Sequence, residues 1–233
     1  MISPAKLFLL GKPLDKAHMM LNKYTFMGFR YNFPHYRIIT IGDLVSNKLV
    51  KDKDLPKYVY DFIGVNGEVL MIANIIDKHI PMLQLRTIRG EKAFSVFGSQ
   101  TRLFYGLGMI NPNFKYGDWL VICEGLMDVD ALRSVYPNVV GCMTAGLTNM
   151  QLEILKLMTN RVILSYDNDK AGRTAYKRDS KKLKELGFEV KCLIQYDKFK
   201  DSGDLASLLY KQEEFDFNIA YRYYKNKIDY ITR

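Results

Sequence analysis

Apolar runs and amphipathic stretches alternate along the C-terminal half of the chain. Trp119–Cys123 is a continuous apolar run, which is typical of a parallel strand buried on both faces. Comparable runs predict three more strands, at Val139–Met143, Arg161–Tyr166 and Phe188–Ile194. Since a stretch with helical spacing follows each of the first three strands, the pattern predicts a parallel, doubly wound sheet.

The helices between these strands are predicted from apolar spacing and from capping residues. The spacing indicates one helix over Met127–Val135 and a second that begins at an Asn149 N-cap. A third helix is predicted over Ala171–Leu186, with Gly187 as its C-cap.

The N-terminal half is less regular. Three runs in it are predicted to be strands: Tyr58–Ile63, Val69–Ile76 and Met82–Ile88. Asn, Pro and Gly concentrate at residues 111–117, which predicts a domain boundary there, and Phe215–Ile231 is aromatic and basic with helical spacing. We therefore expect a mixed α+β unit over residues 1–116, an α/β domain over 117–210 and a helical extension over 211–233.

Composition narrows the class of protein. With 48% hydrophobic and 25% charged residues, the chain resembles a globular protein rather than a disordered or fibrous one. No apolar run approaches the roughly 18 residues that a membrane-spanning helix needs. Cys123, Cys142 and Cys192 are far apart and form no C-x-x-C pair, so we expect neither disulfides nor zinc in this chain. We expect a cytoplasmic protein with no membrane partner.

The net charge of +9 is unevenly distributed. Residues 1–116 contain 16 Lys and Arg against 8 Asp and Glu, whereas residues 117–233 contain 18 against 17. Because a basic excess confined to one half favours a polyanionic partner, we expect the N-terminal half to face nucleic acid.

Acidic residues follow three of the four predicted strands. Glu124 follows the first strand, Asp167 and Asp169 follow the third, and Asp201 and Asp204 follow the fourth. In a doubly wound sheet the carboxyl ends of the strands lie at one edge, where functional groups collect. Asp167 and Asp169 are two residues apart in an extended segment, so their side chains should project to the same side.

A second D-x-D pair in the chain provides a comparison. Asp128 and Asp130 have the same spacing, but they lie in a predicted helix, where the two side chains diverge. Carboxylates that do converge repel each other unless a cation neutralises them, and their hard oxygens suit Mg²⁺ or Mn²⁺. We therefore expect a metal site at the strand ends that activates a hydroxyl and stabilises a phosphoryl transition state.

The order of these motifs resembles the TOPRIM domain, in the variant found in DnaG-type and phage primases. The matching motifs span residues 119–209 and are, in order, Glu124-Gly-Leu-Met-Asp128, Thr144-Ala145, Asp167-Asn-Asp169-Lys-Ala-Gly172-Arg173 and Lys200-Asp201. Upstream, a looser resemblance to the primase RNA polymerase domain is carried by Arg86, Arg89, Lys92 and Phe104-Tyr-Gly-Leu107. The resemblance implies an α/β fold, a Rossmann-like parallel sheet with helices on both faces, preceded by a smaller α+β subdomain.

The resemblance also implies a DNA primase catalytic core, which joins ribonucleoside triphosphates into short RNA primers on a single-stranded DNA template. The implied catalytic residues are Glu124, Asp167, Asp169 and Asp128, and the implied ligands of Mg²⁺ or Mn²⁺ are Glu124, Asp167, Asp169 and Asp201. The implied nucleotide-binding or template-binding residues are Arg86, Arg89, Lys92, Lys170 and Arg173.

Two departures from the family pattern concern partners and metals. Primases of this family usually begin with a zinc-binding module, and this chain lacks the cysteines for one. We therefore expect a separate zinc-binding module to select the template, together with a replicative helicase, in a bacterial or phage-infected cell. The family often has an acid two positions after the one matched by Asp201; here that position is Gly203, and Asp204 follows.

Two alternatives remain open from the sequence. The same acids could direct water at a phosphodiester, which would make the protein a TOPRIM nuclease. The chain could also be a non-catalytic nucleic-acid-binding subunit that retains a relic metal site. A topoisomerase is disfavoured because none of the tyrosines lies in a recognisable strand-cleavage domain.

Overall fold

The computed structural model describes residues 3–18, 21, 23, 25, 30–47, 67–88, 93–98 and 103–233. The chain divides into two compact units, Met1–Ser99 and Gln100–Arg233. No helix in the described ranges combines the length and the apolar character that crossing a membrane requires.

The N-terminal unit contains an antiparallel sheet whose five strands are neighbours in chain order. The strands are β1 (Lys12–Pro13), β2 (Tyr36–Thr40), β3 (Glu68–Ile76), β4 (His79–Thr87) and β5 (Ala93–Gly98). Among the helices of this unit are α1 (Pro4–Leu10) and α2 (Ile41–Ser46). Leu7 and Phe8 of α1 pack against the apolar face of the sheet. The predicted strands at Val69–Ile76 and Met82–Ile88 are present as β3 and β4, while Tyr58–Ile63 lies outside the described residues.

The turn between β3 and β4 shows how the sequence sets the register there. Asp77 and Lys78 both have positive φ, 45° and 66°. Two consecutive residues of this kind form the turn whose twist matches an antiparallel hairpin. The turn places Ile76 opposite His79, and a register shift between Asn74 and Ile76 then places Val69 opposite Thr87.

The C-terminal unit contains the parallel sheet that the sequence predicts. Its strands are β6 (Trp119–Cys123), β7 (Val139–Gly141), β8 (Arg161–Ser165) and β9 (Glu189–Cys192), arranged in the order β7-β6-β8-β9. Its helices are α3 (Leu126–Arg133), α4 (Asn149–Met158), α5 (Lys170–Glu185), α6 (Asp204–Tyr210) and α7 (Glu214–Thr232), and a short 3₁₀ helix spans Leu107–Met109. The predicted helical extension corresponds to α7.

Apolar side chains of alternating strand positions cover the two faces of this sheet. Leu120 and Ile122 of β6 belong to a buried cluster that also contains Leu152 of α4 and Leu183 of α5. The buried side chains of α3 lie outside that cluster, and its Val129 lies against Gly141 at the end of β7. The right-handed connection that parallel strands favour puts such a helix on the opposite face of the sheet. The sheet is thus covered by helices on both sides, as in a doubly wound fold.

The N-cap of α4 differs from the prediction. The cap is Thr148 rather than Asn149, which is the first helical residue. The Thr148 hydroxyl accepts the Gln151 N–H, and the Gln151 side chain accepts the Thr148 N–H, so the two form a capping box. This reciprocal pair satisfies two backbone donors, whereas Asn149 as the cap could satisfy only one.

The division between the two units falls earlier than the predicted boundary after residue 116. Tyr105 and Gly141 exchange two backbone hydrogen bonds of 2.9 Å, so this part of the chain pairs with the edge of β7. Tyr105 also donates its hydroxyl to Asp130 of α3 at 3.1 Å. These contacts tie the segment that follows residue 103 to the C-terminal unit.

Candidate functional site

The strand order creates a switch point between β6 and β8. From β6 the chain moves to β7 on one side and then returns to β8 on the other. In open parallel sheets, ligands bind beyond the carboxyl ends of the strands at such a point. Cys123 and Ser165, the last residues of β6 and β8, lie opposite each other, so Glu124 and Asp167 follow at the same edge.

Glu124 and Asp167 are in direct contact. The Glu124 Oε1 accepts the backbone N–H of Asp167 at 3.2 Å. Glu124 therefore lies against the loop that carries the predicted aspartate pair, although the residues are far apart in the sequence.

Asp167 and Asp169 converge on a single positive charge, the ammonium group of Lys200. The Lys200 Nζ lies 3.2 Å from the Asp167 Oδ2 and 3.4 Å from the Asp169 Oδ2. The two carboxylates thus face one point in space, as their spacing predicts. The carboxylates raise the pKa of Lys200, which stabilises its charged form.

The start of α5 fixes the position of Asp169. Asp169 is the N-cap of this helix, and its Oδ1 accepts the Gly172 N–H at 2.9 Å. This hydrogen bond lowers the pKa of Asp169, so that the carboxyl group remains ionised. The Asp169 Oδ1 is thus hydrogen-bonded to the first turn of α5, while its Oδ2 faces Lys200.

Gly172 is required by the close approach of two backbone segments. A Cβ at this position would lie 2.1 Å from the carbonyl oxygen of Asp167. Only glycine allows the first turn of α5 to pack this tightly against the acidic loop.

Burial and neighbouring negative charges raise the pKa values of Glu124 and Asp167. Burial raises the pKa of Glu124, and the negative charge of Asp167 raises it further. Burial also raises the pKa of Asp167, although Lys200 partly offsets the shift. A cation next to these two groups would offset the desolvation of their charged forms.

Asp128, in the first turn of α3, and Asp201, in the loop after β9, lie beside each other rather than at the Lys200 ammonium. Asp128 is 7% exposed, and its Oδ1 accepts the Gly203 N–H at 2.8 Å. Burial raises the pKa of Asp128, and the charge of Asp201 adds to the shift. Asp130 instead accepts the Tyr105 hydroxyl, so the two carboxylates of the helical D-x-D pair diverge as predicted.

A backbone hydrogen bond joins the loop after β8 to the loop after β9, and a second hydrogen bond holds Lys200 against the start of α6. The Asn168 N–H donates to the Lys200 carbonyl at 2.7 Å, and the Lys200 N–H donates to the Asp204 Oδ2 at 3.0 Å. The two loops therefore form one acidic edge, which we define by Glu124, Asp167, Asp169, Lys200 and Asp201.

The basic residues that are predicted to bind nucleotide or template lie in different parts of the structure. The Arg173 Nη1 donates to the Asn168 carbonyl at 3.0 Å and to its Oδ1 at 3.1 Å, so this guanidinium lies beside the acidic edge. Lys170 is exposed at the start of α5.

Arg86 lies on β4 of the N-terminal unit and donates to Gln84. Arg89 and Lys92 are outside the described residues.

A cavity of about 170 Å³ opens beside the acidic edge. Asp167, Asn168 and Arg173 line one part of it, and Leu193 and Ile194 line another. The lining of this cavity thus combines apolar side chains with the Arg173 guanidinium and the Asp167 carboxylate.

The carboxylates of the acidic edge suit a metal ion that takes only one or two of its ligands from the protein. Within the described ranges, no three acidic, histidine or cysteine side chains gather closely enough to enclose a metal ion. Mg²⁺ does not require such a cage, because it commonly uses one or two carboxylates and keeps waters or substrate phosphates as its other ligands. The convergence of Asp167 and Asp169 on one ammonium group meets that smaller requirement.

Lys200 of the acidic edge and Gly172 beside it have structural roles that the sequence pattern did not predict. Lys200 belongs to a recognised motif, but nothing in its spacing indicates that its side chain lies between Asp167 and Asp169. Gly172 follows the D-x-D element directly, and a glycine in the first turn of a helix is the signal that could have indicated close packing.

The chain is similar to known proteins in sequence and in fold. Residues 121–206 match the family described as Toprim-like. The chain is 29% identical over 202 residues to a DNA primase of Clostridium acetobutylicum, and 28% identical over 120 residues to a DNA primase of Campylobacter jejuni. These matches cover 85% and 51% of this chain but only 32% and 19% of the two relatives. The chain thus spans about a third or less of the curated relatives it matches.

Solved structures share the fold. A DnaG primase catalytic domain bound to single-stranded DNA superimposes with a TM-score of 0.60 at 16% identity, covering 92% of this chain and 75% of that one. The RNA polymerase domain of the Mycobacterium tuberculosis primase DnaG, in complex with double-stranded DNA, gives a TM-score of 0.59 at 15% identity, covering 86% and 73%. At identities of 16% and 15%, these superpositions show that the chain has the fold of primase catalytic cores.

Proposed function

Because residues 121–206 form a Toprim-like domain within the fold of primase catalytic cores, we propose that this chain is the catalytic core of a DNA primase. It joins ribonucleoside triphosphates into short RNA primers on a single-stranded DNA template. The observation that carries the proposal is the convergence of Asp167 and Asp169 on one cation, with Glu124 held against the same loop. The DNA primase relatives support the same reaction.

Asp167 and Asp169 are the proposed ligands of Mg²⁺ or Mn²⁺, with Glu124 and Asp201 beside them. When bound, the metal supplies positive charge that activates a hydroxyl and stabilises the phosphoryl transition state. In its absence Lys200 neutralises the aspartates. The Lys200 side chain is more than half exposed, so its ammonium can move into solvent without breaking a packed core.

Glu124 is the proposed acceptor of the proton from the attacking hydroxyl. As the new bond to the α-phosphorus forms and the bond to pyrophosphate breaks, the hydroxyl loses its proton. Burial and Asp167 raise the pKa of Glu124, which makes it a stronger base than an exposed carboxylate. Asp128 supports the reaction indirectly, by holding the Gly203 backbone next to Asp201.

Basic residues are the proposed contacts for phosphates. Arg173 lies beside Asn168 at the acidic edge, and Lys170 is exposed in the same turn, where both are available to a triphosphate. Arg86, Arg89 and Lys92 are the proposed template contacts of the N-terminal half, whose 16 basic residues outnumber its 8 acidic ones.

The partners follow from the proposed reaction. Related structures include a primase that combines zinc-binding and RNA polymerase domains and a phage T7 primase-helicase fragment. We propose that this core works with a zinc-binding module for template selection and with a replicative helicase, in the cytoplasm of a bacterial or phage-infected cell.

Primer synthesis tests the proposed function. The protein, incubated with Mg²⁺ or Mn²⁺, ribonucleoside triphosphates and single-stranded DNA of varied sequence, is expected to yield short RNA products that disappear when EDTA is added. Labelled DNA that is degraded without triphosphates would instead identify a nuclease. A protein that binds neither metal would be a non-catalytic nucleic-acid-binding subunit.

A further inference from the structure

The C-terminal helix α7 lies beyond the residues that match the Toprim-like family, yet it is hydrogen-bonded through Tyr224 to the loop after β9. Its inner face buries Phe217, Ala220, Tyr224 and Ile228. Tyr224 differs from the other three because its buried hydroxyl needs a polar partner.

Tyr224 takes part in a group of four buried polar side chains, which we call the buried polar network: Ser165, Gln195, Ser202 and Tyr224. The Tyr224 hydroxyl donates to the Gln195 Oε1 at 2.8 Å, and the Ser202 hydroxyl donates to the same oxygen at 3.0 Å. The Gln195 Nε2 donates to the Ser165 Oγ at 3.2 Å and to the Tyr166 carbonyl at 3.1 Å. The Gln195 amide therefore connects three separate segments of the chain.

The ends of the buried polar network lie directly next to the acidic edge. Ser165 is the last residue of β8, two positions before Asp167. Ser202 follows Asp201 and precedes Gly203, whose N–H is bonded to Asp128. The network thus fixes the chain on both sides of the place where the loops after β8 and β9 meet.

Buried hydrogen bonds of this kind strongly favour one arrangement. If one partner is removed, a buried polar atom is left unsatisfied, at a cost of about 1–3 kcal/mol. A linked set in a low-dielectric interior therefore holds its members in a single geometry. Tyr224 also accepts the Tyr196 N–H at 3.3 Å, which anchors the start of the loop that leads to Lys200.

We infer that Tyr224 is a positioning residue for the metal-dependent reaction. Through Gln195 and Ser202 it holds the loop of Lys200 and Asp201 against the end of β8, so that the acids face one cation. The inference rests on the proposed function, but it concerns a helix outside the family match. It makes α7 part of the active-site structure rather than an appended extension.

Tyr224→Phe tests the inference, because it removes only the hydroxyl and keeps the ring contacts with Phe199 and Tyr223. We expect the variant to bind Mn²⁺ about ten-fold more weakly, the size of effect typical when support behind a metal ligand is lost. The Mg²⁺ concentration for half-maximal primer synthesis should rise by a similar factor, with the affinity for single-stranded DNA unchanged. Mn²⁺ binding is measured by electron paramagnetic resonance of the free ion.

Tyr230→Phe is the matched control, because Tyr230 lies on the same helix with its side chain 80% exposed. It should bind Mn²⁺ as the wild type does. Wild-type Mn²⁺ affinity in a folded Tyr224→Phe variant would overturn the inference. If that variant fails to fold, Ser202→Ala provides the same comparison from the loop side, and unchanged Mn²⁺ affinity there would overturn it equally.

The two proposals can fail separately. A wild-type protein that binds Mn²⁺ but makes no primers contradicts the proposed function, and the Mn²⁺ comparison still decides the role of Tyr224. A wild-type protein that binds no Mn²⁺ contradicts both.

Discussion

Asp169→Asn is expected to reduce primer synthesis by about a thousand-fold while the protein remains folded. The asparagine Oδ1 can still accept the Gly172 N–H, so the N-cap of α5 is preserved. The change removes the negative charge that faces Lys200 and, in the proposed reaction, the metal. Losing several kcal/mol of transition-state stabilisation, at about 1.4 kcal/mol per factor of ten, gives a loss of this size.

The primer-synthesis assay of Asp169→Asn is accompanied by a stability measurement, which shows whether the variant is folded. Trp119 is the single tryptophan of the chain and is buried in β6, so its fluorescence reports unfolding of the C-terminal unit. Glu153→Gln serves as the control, because it removes a carboxylate from an exposed ion pair on α4. Primer yield near the wild-type level in folded Asp169→Asn would remove Asp169 from the active site.

Gly172→Ala is expected to lower both stability and activity. Its Cβ would lie 2.1 Å from the Asp167 carbonyl oxygen, and a backbone atom cannot rotate away as a side chain can. We expect a loss of about 3 kcal/mol in the free energy of unfolding, at the upper end of overpacking costs. Asp167 must also shift relative to Asp169 and Lys200, so primer synthesis should fall at least about a hundred-fold, the cost of a misplaced reactive group.

Gly187→Ala separates steric displacement from a general loss of stability. Nothing lies within 4 Å of a Cβ at this position, but Gly187 has a φ of 87°. The left-handed backbone should cost the variant about 1 kcal/mol, with primer synthesis retained. Equal activity losses in the two variants would mean that the tight contact between Gly172 and Asp167 has no specific role. Urea unfolding followed by Trp119 fluorescence gives the free energies.

Strong local patterns explain why the parallel sheet could be predicted from the sequence. Trp119–Cys123 is apolar throughout because both of its faces are buried, and it is present with the predicted bounds. The strand predicted over Val139–Met143 ends earlier, at Gly141. Met143 has a φ of 62° and donates its N–H to the Glu124 carbonyl, a tertiary contact that apolar spacing does not reveal.

The proximity of Glu124, Asp167 and Asp169 could be predicted because each follows a strand end at one edge of the sheet. Their order in the chain was therefore sufficient to place Glu124 near Asp167. The supporting residues could not be found in this way, since Gln195 and Ser202 lie in irregular loops, and Tyr224 resembles any buried aromatic residue of an amphipathic helix. Their roles depend on which polar atoms meet in the interior.

The proposal that Asp167 and Asp169 hold the metal is tested most directly by a crystal structure of the protein soaked with Mn²⁺ and a ribonucleoside triphosphate, with anomalous data collected at the manganese edge. We expect an anomalous peak next to the carboxylates of Asp167 and Asp169. The Lys200 ammonium, which lies 3.2 Å and 3.4 Å from these carboxylates without metal, should have moved away. A structure at saturating Mn²⁺ in which Lys200 still bridges the two aspartates, with no peak beside them, would contradict the proposal.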